Sequence, residues 1–244
     1  MENKIIYLKD LIKEKLRGDY QFKIILGENN KGEIVTKELD NLLVSGHTST
    51  GKSIFLHSVI YTLLSAFSPE ELELVLIEPK ISAFHIYEGI KYLRGKVNYS
   101  VDDGIVALKD CVLERERRKR ENRKNPQIII LIDEFSDLVI GNSKGEELIC
   151  RIAKEGKEVG VHIILSSSIA SEKVFTEKIK ECISRRLVGA VASKENSLLL
   201  LEEEGAELLD GHGDMIFKDM STREMVRVQT PYISVEDIRF LKSY

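Results

Sequence analysis

One stretch near residue 50 restricts the possible folds of this chain more than any other. Leu42-Leu43-Val44-Ser45 runs straight into Gly46-His47-Thr48-Ser49-Thr50-Gly51-Lys52-Ser53. From Lys52 onward, Ile54, Val59, Ile60, Leu63 and Leu64 fall close to one helical face. A buried strand, a glycine-bounded loop and a helix in that order make a G-x-x-x-x-G-K-S phosphate loop, and the order carries the chemistry. Backbone N–H groups of the loop and of the first helical turn converge on one cavity, where the positive end of the helix favours phosphate. Gly46 and Gly51 permit backbone angles and close approach that a Cβ forbids. Lys52 is expected to reach the β- and γ-phosphates of ATP, and the Ser53 hydroxyl to ligate Mg²⁺. The nucleotide contacts are thus expected at Gly46, His47, Thr48, Ser49, Thr50, Gly51, Lys52, Ser53 and the adjoining Ile54.

The rest of the chain repeats the strand–helix alternation. Strand-like apolar runs occupy Leu42–Ser45, Leu72–Glu78, Ile128–Asp133, Val161–Ser166 and Leu187–Val191. Helical patterns lie at Lys52–Ala66, Asp102–Lys124, Glu146–Glu158 and Thr176–Ile183. Near-continuous apolar strands separated by helices imply an α/β fold with a mostly parallel sheet covered on both faces. A C-terminal β-hairpin is expected from Asp214–Phe217 and Met225–Gln229, followed by a last helix capped by Ser234 with Asp237 in its first turn. Ahead of this domain (residues 41–244), residues 1–40 read as an extension. A helix at Leu8–Leu16 leads into a hairpin of Phe22–Leu26 and Glu33–Thr36 around a turn rich in Gly and Asn. With only 4 prolines and no linker or repeat, a single domain is expected over 41–244.

A second acidic motif fits the first. Ile128-Ile129-Ile130-Leu131-Ile132-Asp133-Glu134 is a strand whose carboxylates emerge at its C-terminal end, where open parallel sheets bind ligands. Asp133 is expected to hold Mg²⁺ through its water shell, and Glu134 to orient and deprotonate the attacking water. The charged segment Glu114–Lys124 has seven basic residues against three acids. Its interleaved signs favour a solvated, self-paired helix face over a DNA-facing one. The formal net charge of −4 gives no global sign of nucleic-acid binding, so any DNA contact must be local. No apolar run approaches the ~18 residues of a membrane span, and no signal-peptide core surrounds Lys4. The expectation is a cytoplasmic protein without a membrane segment of its own. Cys111, Cys150 and Cys182 show no paired spacing and read as free thiols. The five histidines show no ligand spacing and read as structural, and Glu202-Glu203-Glu204 as a solvated helix face.

In order along the chain, these residues resemble the FtsK/SpoIIIE motor domains, hexameric RecA-like ATPases that pump double-stranded DNA. Asn41-Leu42-Leu43-Val44-Ser45-Gly46 is similar to the family's lead-in to its phosphate loop, and Ile77-Glu78-Pro79-Lys80 to its I-D-P-K. Tyr87-Glu88-Gly89-Ile90 resembles Y-x-G-I, Glu114 to Arg118 E-x-E-R-R, and Asp133 to Leu138 D-E-F-A-D-L. Gly160 to Leu165 is similar to G-I-H-L-x-L, while Gly205 to Leu209 and Gly211 to Met215 resemble G-A-E-x-L-L-G-x-G-D-M. The resemblance implies a RecA-like P-loop NTPase fold, ATP and Mg²⁺ as ligands, double-stranded DNA as partner, and a homo-hexameric ring.

The departures matter as much. Where the family has Gln-Arg-Pro-Ser, with the Gln sensing the γ-phosphate, this chain has Ser168-Ile169-Ala170-Ser171. The family's D-S-R becomes Asn196-Ser197-Leu198, which removes an arginine near the subunit interface. Arg186 stands at the I-P-x-R arginine and is the remaining candidate for a catalytic cation, although Ser184 replaces the proline. An arginine acting across an interface contributes ~10³–10⁵ in rate. Ser168 is expected to leave a gap near the γ-phosphate that only solvent bridges, and hydrolysis is expected to be weakened. Three functions follow: a DNA-translocating motor, a module of type VII secretion or conjugation that moves or recruits protein, or a nucleotide-gated interaction module without turnover.

Overall fold

Alternating side chains along each apolar run divide the core in two. The computed structural model describes residues 5–15, 22–80 and 83–241; Lys4 and Leu16 lie outside the described residues. On β5 (Gln127–Ile132), Ile128, Ile130 and Ile132 pack into one cluster, and Ile129 and Leu131 into another on the opposite face. On β3 (Leu42–Ser45), Leu43 joins the first cluster, and Leu42 and Val44 the second. The first is closed by α3 (Val101–Glu121) and α5 (Ser143–Glu155); the second by α1 (Leu8–Lys15), α2 (Lys52–Ala66) and α8 (Val235–Leu241). A strand apolar on both sides requires cover on both sides. Each buried aliphatic contributes about 1.5–3 kcal/mol, which makes β5, with all five aliphatics inaccessible, the anchor of the sheet.

Among the described residues, nine strands form one sheet in the order β2-β1-β9-β8-β7-β3-β6-β5-β4. Its parallel half consists of β7 (Arg185–Gly189), β3, β6 (Val161–Ser167), β5 and β4 (Leu72–Ile77). Its antiparallel half consists of the hairpin β8 (Asp214–Asp219) and β9 (Glu224–Gln229), then β1 (Lys23–Asn29) and β2 (Ile34–Glu38). β1 meets β9 through Glu28 opposite Gln229 and Asn29 opposite Val228. The parallel half and the C-terminal hairpin agree with the sequence reading, but the sheet of the described residues is mixed, with four parallel and four antiparallel pairings. The Ser234 cap also forms, with Asp237 N donating to Ser234 Oγ at 3.1 Å and Ser234 Oγ donating to Asp237 Oδ2 at 2.8 Å.

Two polar readings need correction. Along its second half α3 is solvated and self-paired on one side, where Arg117 joins Glu114 at 2.8 Å, but buried on the other. Arg118 is wholly buried, and its Nε donates to Glu114 Oε1 at 2.8 Å. Its Nη1 is directed at the carbonyls of Lys124, Val159 and Gly160. Arg115 is buried as well, and donates to Arg151 O. The apolar stripe of Leu108, Cys111 and Val112 thus continues inward as charge, at the same helical spacing. α3 stops at Glu121 because Asn122 adopts the left-handed conformation. The second correction concerns Glu202–Glu204, which follow α7 (Lys194–Leu201) instead of forming a helix face. Glu203 pairs with Lys218 at 2.7 Å and Glu204 with Lys194 at 2.8 Å. The remaining helices, α4 (Ser136–Val139) and α6 (Glu177–Cys182), are short.

Candidate active site

β3 delivers the phosphate loop to the C-terminal edge of the parallel half-sheet. β5 delivers Asp133 and Glu134 to the same edge, and β6 ends there at Ser166 and Ser167, with Ser168 next in the chain. The loop is supported from behind. A Cβ on Gly51 would lie 3.0 Å from Gly213 N and 3.1 Å from Gly213 Cα, and Gly51 itself has a φ of 100°. Only glycine meets both demands without strain. Gly213 N donates to Thr50 O at 2.8 Å, and His47 N to Ala190 O at 2.9 Å. The Gly211–Gly213 turn before β8 and the end of β7 therefore hold the loop in place. Its front, with Thr48, Ser49, Gly51, Lys52 and Ser53, lines a cavity of about 860 Å³.

Lys52 is a buried cation of this cavity. It is 6% exposed, and its ammonium donates to Gly46 O at 2.8 Å and His47 O at 3.0 Å. Burial lowers its pKa, while the carboxylates of Glu134 and Asp133 act in the opposite sense. Asp133 is buried beside it. Burial raises the Asp133 pKa, opposed by the Ser166 hydrogen bond and the Lys52 charge. Ser53 Oγ donates to Asp133 Oδ2 at 3.4 Å, and Ser166 Oγ to Oδ1. A hydroxyl and a carboxylate at this separation, next to a phosphate-binding loop, fit a Mg²⁺ that takes its other ligands from phosphate and water. Among the described residues, no cluster of three or more His, Cys, Asp or Glu offers an alternative metal cage.

Glu134 sits at a φ of 55°, uncommon for a residue with a Cβ. Its carboxylate meets the end of β6, where Ser168 N donates to Oε1 and Oε2, both at 3.1 Å, and Ser168 Oγ donates to Oε1. Ser168 thus lines the cavity and contacts Glu134.

The structure does not bring Arg186 to the cavity. It is 2% exposed on β7, with Nη1 donating to Leu200 O at 2.6 Å and lying 3.7 Å from Glu202 Oε1. Its placement is that of a buried guanidinium bonded within its own chain, away from the residues that line the cavity. Ile54 lines the cavity, whereas Gly46 and His47 shape the loop through carbonyls that accept from Lys52, and Thr50 Oγ1 donates to His47 O at 2.9 Å. Of the histidines, His57 and His162 are structural. His57 Nδ1 lies 2.8 Å from Tyr87 Oη, His162 Nε2 lies 3.0 Å from Gln127 Oε1, and burial lowers both pKa values to about 4. His212 differs from that reading, because it lines the cavity.

Sequence reasoning missed the part of the cavity lined by Ile5, Ile6, Pro231 and Tyr232, and Lys80, which also lines it. Tyr232 N donates to Ile6 O at 2.7 Å, and Leu8 N to Tyr232 O at 3.0 Å, so the two ends of the chain close it together. No local pattern marks such a contact. Lys80 has a signal in Ile77-Glu78-Pro79-Lys80. There the buried Glu78 carboxylate accepts from Phe84 N at 2.8 Å.

The model of the FtsK/SpoIIIE family matches residues 8–123. The DNA translocase FtsK of Leptospira interrogans (strain Fiocruz L1-130) is 32% identical over 263 residues, covering 96% of this chain and 28% of that protein. The DNA translocase SpoIIIE of Bacillus subtilis (strain 168) is 32% identical over 266 residues, covering 96% of this chain and 34% of that protein. The chain spans about a third of the length of the curated relatives it matches. Among solved structures, the cytoplasmic domain of the Thermomonospora curvata type VII secretion ATPase EccC aligns with a TM-score of 0.77 at 20% identity, covering 93% of this chain and 32% of that one. The pCW3 conjugation coupling protein TcpA, with ATPgS, aligns with a TM-score of 0.73 at 17% identity, covering 91% and 69%. No helix of the described residues is long and apolar enough to cross a membrane. The motif order read from the sequence, the sheet edge on which those motifs meet and relatives matched along nearly the whole chain agree: the chain belongs to the FtsK/SpoIIIE family of P-loop ATPases.

Proposed function

We propose that this chain is a Mg²⁺-dependent, ATP-hydrolysing motor module that moves double-stranded DNA as a homo-hexameric ring. The observation that carries the nucleotide chemistry is the convergence of Lys52, Ser53, Asp133 and Glu134 on one cavity. Lys52 and the loop N–H groups hold the β- and γ-phosphates. Ser53 and Asp133 hold Mg²⁺, which neutralises charge on the phosphate oxygens when bound. Glu134 takes a proton from the attacking water at a carboxylate oxygen. To do so it turns an oxygen away from Ser168, and this restraint supports slow basal hydrolysis. The DNA part rests on relatives that carry the name DNA translocase. Such a ring grips the phosphate backbone without reading sequence.

The test is phosphate release with and without duplex DNA, beside a mass measurement in the presence of nucleotide. Stimulation by DNA together with a hexamer mass is expected; turnover indifferent to DNA overturns the DNA reading. A protein cargo is the second reading. It is favoured by the net charge of −4 and by the burial of Arg115 and Arg118 within the one strongly basic segment. Nucleotide binding without turnover selects the gated interaction module instead.

A further inference from the structure

Two thiols separated by 32 positions in sequence meet where α5 packs against α6. Cys150 lies on α5, and Cys182 is the last residue of α6. Both thiols are free, as the sequence reading has it, but their Sγ atoms are only 2.8 Å apart. Each sulfur also approaches a carbonyl at 3.5 Å, Cys150 that of Lys178 and Cys182 that of Ile179. A disulfide bond is about 2.05 Å long, so joining the sulfurs requires less than ~1 Å of approach. The joint has independent support, with Thr176 Oγ1 donating to Glu146 Oε1 and Lys178 Nζ lying 3.6 Å from Glu146 Oε2. Both cysteines are half-buried, within reach of a small reagent. Cys111, the third, is 1% exposed, and burial pushes its thiol up to about 12, which leaves it inert.

We propose that Cys150 and Cys182 form a dithiol site that becomes an intramolecular disulfide by exchange with a small-molecule disulfide of the glutathione class, tying α6 to α5. This does not depend on the nucleotide reading. The contact between the sulfurs favours a thiolate on Cys150, helped by Lys154 and Lys178, and keeps the proton on Cys182. The Cys150 thiolate attacks one sulfur of the reagent, the reagent's S–S bond breaks, and one reagent thiolate leaves. Cys182 then loses its proton to solvent and attacks the Cys150 sulfur, expelling the second reagent thiolate. The protein gives up two electrons and two protons, and the reagent is reduced to two thiols. The new bond would restrain α6, which ends the segment that begins at Ser168 beside Glu134.

The folded chain is incubated with oxidised glutathione at neutral pH, unreacted thiols are counted after denaturation, and digests are analysed by mass. Thiols are expected to fall from three to one, with a Cys150–Cys182 peptide pair lighter by two hydrogens, no retained glutathione, and full reversal by a reductant. In Cys150→Ser and Cys182→Ser, the remaining partner thiol is expected to retain glutathione as a mixed disulfide. Persistence of three thiols, stable glutathione on either cysteine of the parent chain, or a link to Cys111 overturns the proposal.

Discussion

The contact between Ser168 and Glu134 yields a prediction with a definite sign. Ser168 Oγ donates to Glu134 Oε1, while the Ser168 N–H is shared between both carboxylate oxygens at 3.1 Å. Ser168→Ala removes the first contact and keeps the second. A hydrogen bond to a charged group contributes about 1.5–3 kcal/mol. Because the shared amide still restrains the carboxylate, the lower figure applies, and Glu134 turns toward water at about 1.5 kcal/mol less cost, or roughly tenfold in rate. In steady-state phosphate release, kcat is expected to rise about tenfold, with little change in KM for ATP, since the phosphates are held by Lys52 and the loop. Glu134→Gln and the double variant complete a double-mutant cycle. If Ser168 acts through Glu134, its removal has no effect once Glu134 is an amide. A Ser168→Ala rate equal to or below that of the parent, or an equal gain in the Glu134→Gln background, refutes the reasoning.

Three further outcomes follow from the same geometry. Lys52→Ala removes the buried cation facing the phosphates and is expected to weaken ATP binding by about 2–5 kcal/mol, roughly 30-fold or more in Kd; unchanged affinity in a calorimetric titration contradicts the site. Glu134→Gln keeps ATP binding but is expected to abolish hydrolysis, because an amide cannot take the water's proton; turnover equal to the parent's moves that role to another residue. Arg118→Ala leaves Glu114 short of a buried partner and removes the donor to the Val159 carbonyl. It is expected to lower stability by about 3–5 kcal/mol in urea unfolding, and a loss under about 1 kcal/mol contradicts the buried network.

By itself the sequence determines those features whose chemistry lies between neighbours along the chain. The phosphate loop is legible because a strand, two glycines and a helix start must follow one another for the N–H groups to converge. The five aliphatics before Asp133 are legible as a strand covered on both faces, since no solvent-facing alternation interrupts them. The Glu114–Arg118 pair is legible from its spacing, but its burial is not. α7 escapes because Leu198 to Leu201 are consecutive leucines that hide any helical period. Everything that depends on sheet order belongs to the tertiary structure: Ser168 against Glu134, Arg186 spent on Leu200, Cys150 beside Cys182, Ile6 paired with Tyr232. Each joins residues that are distant in sequence, brought together only when β6 settles between β3 and β5 and the hairpin closes beside β7. That order follows from burying two apolar sheet faces at once, a condition on the whole chain that no local window of residues contains.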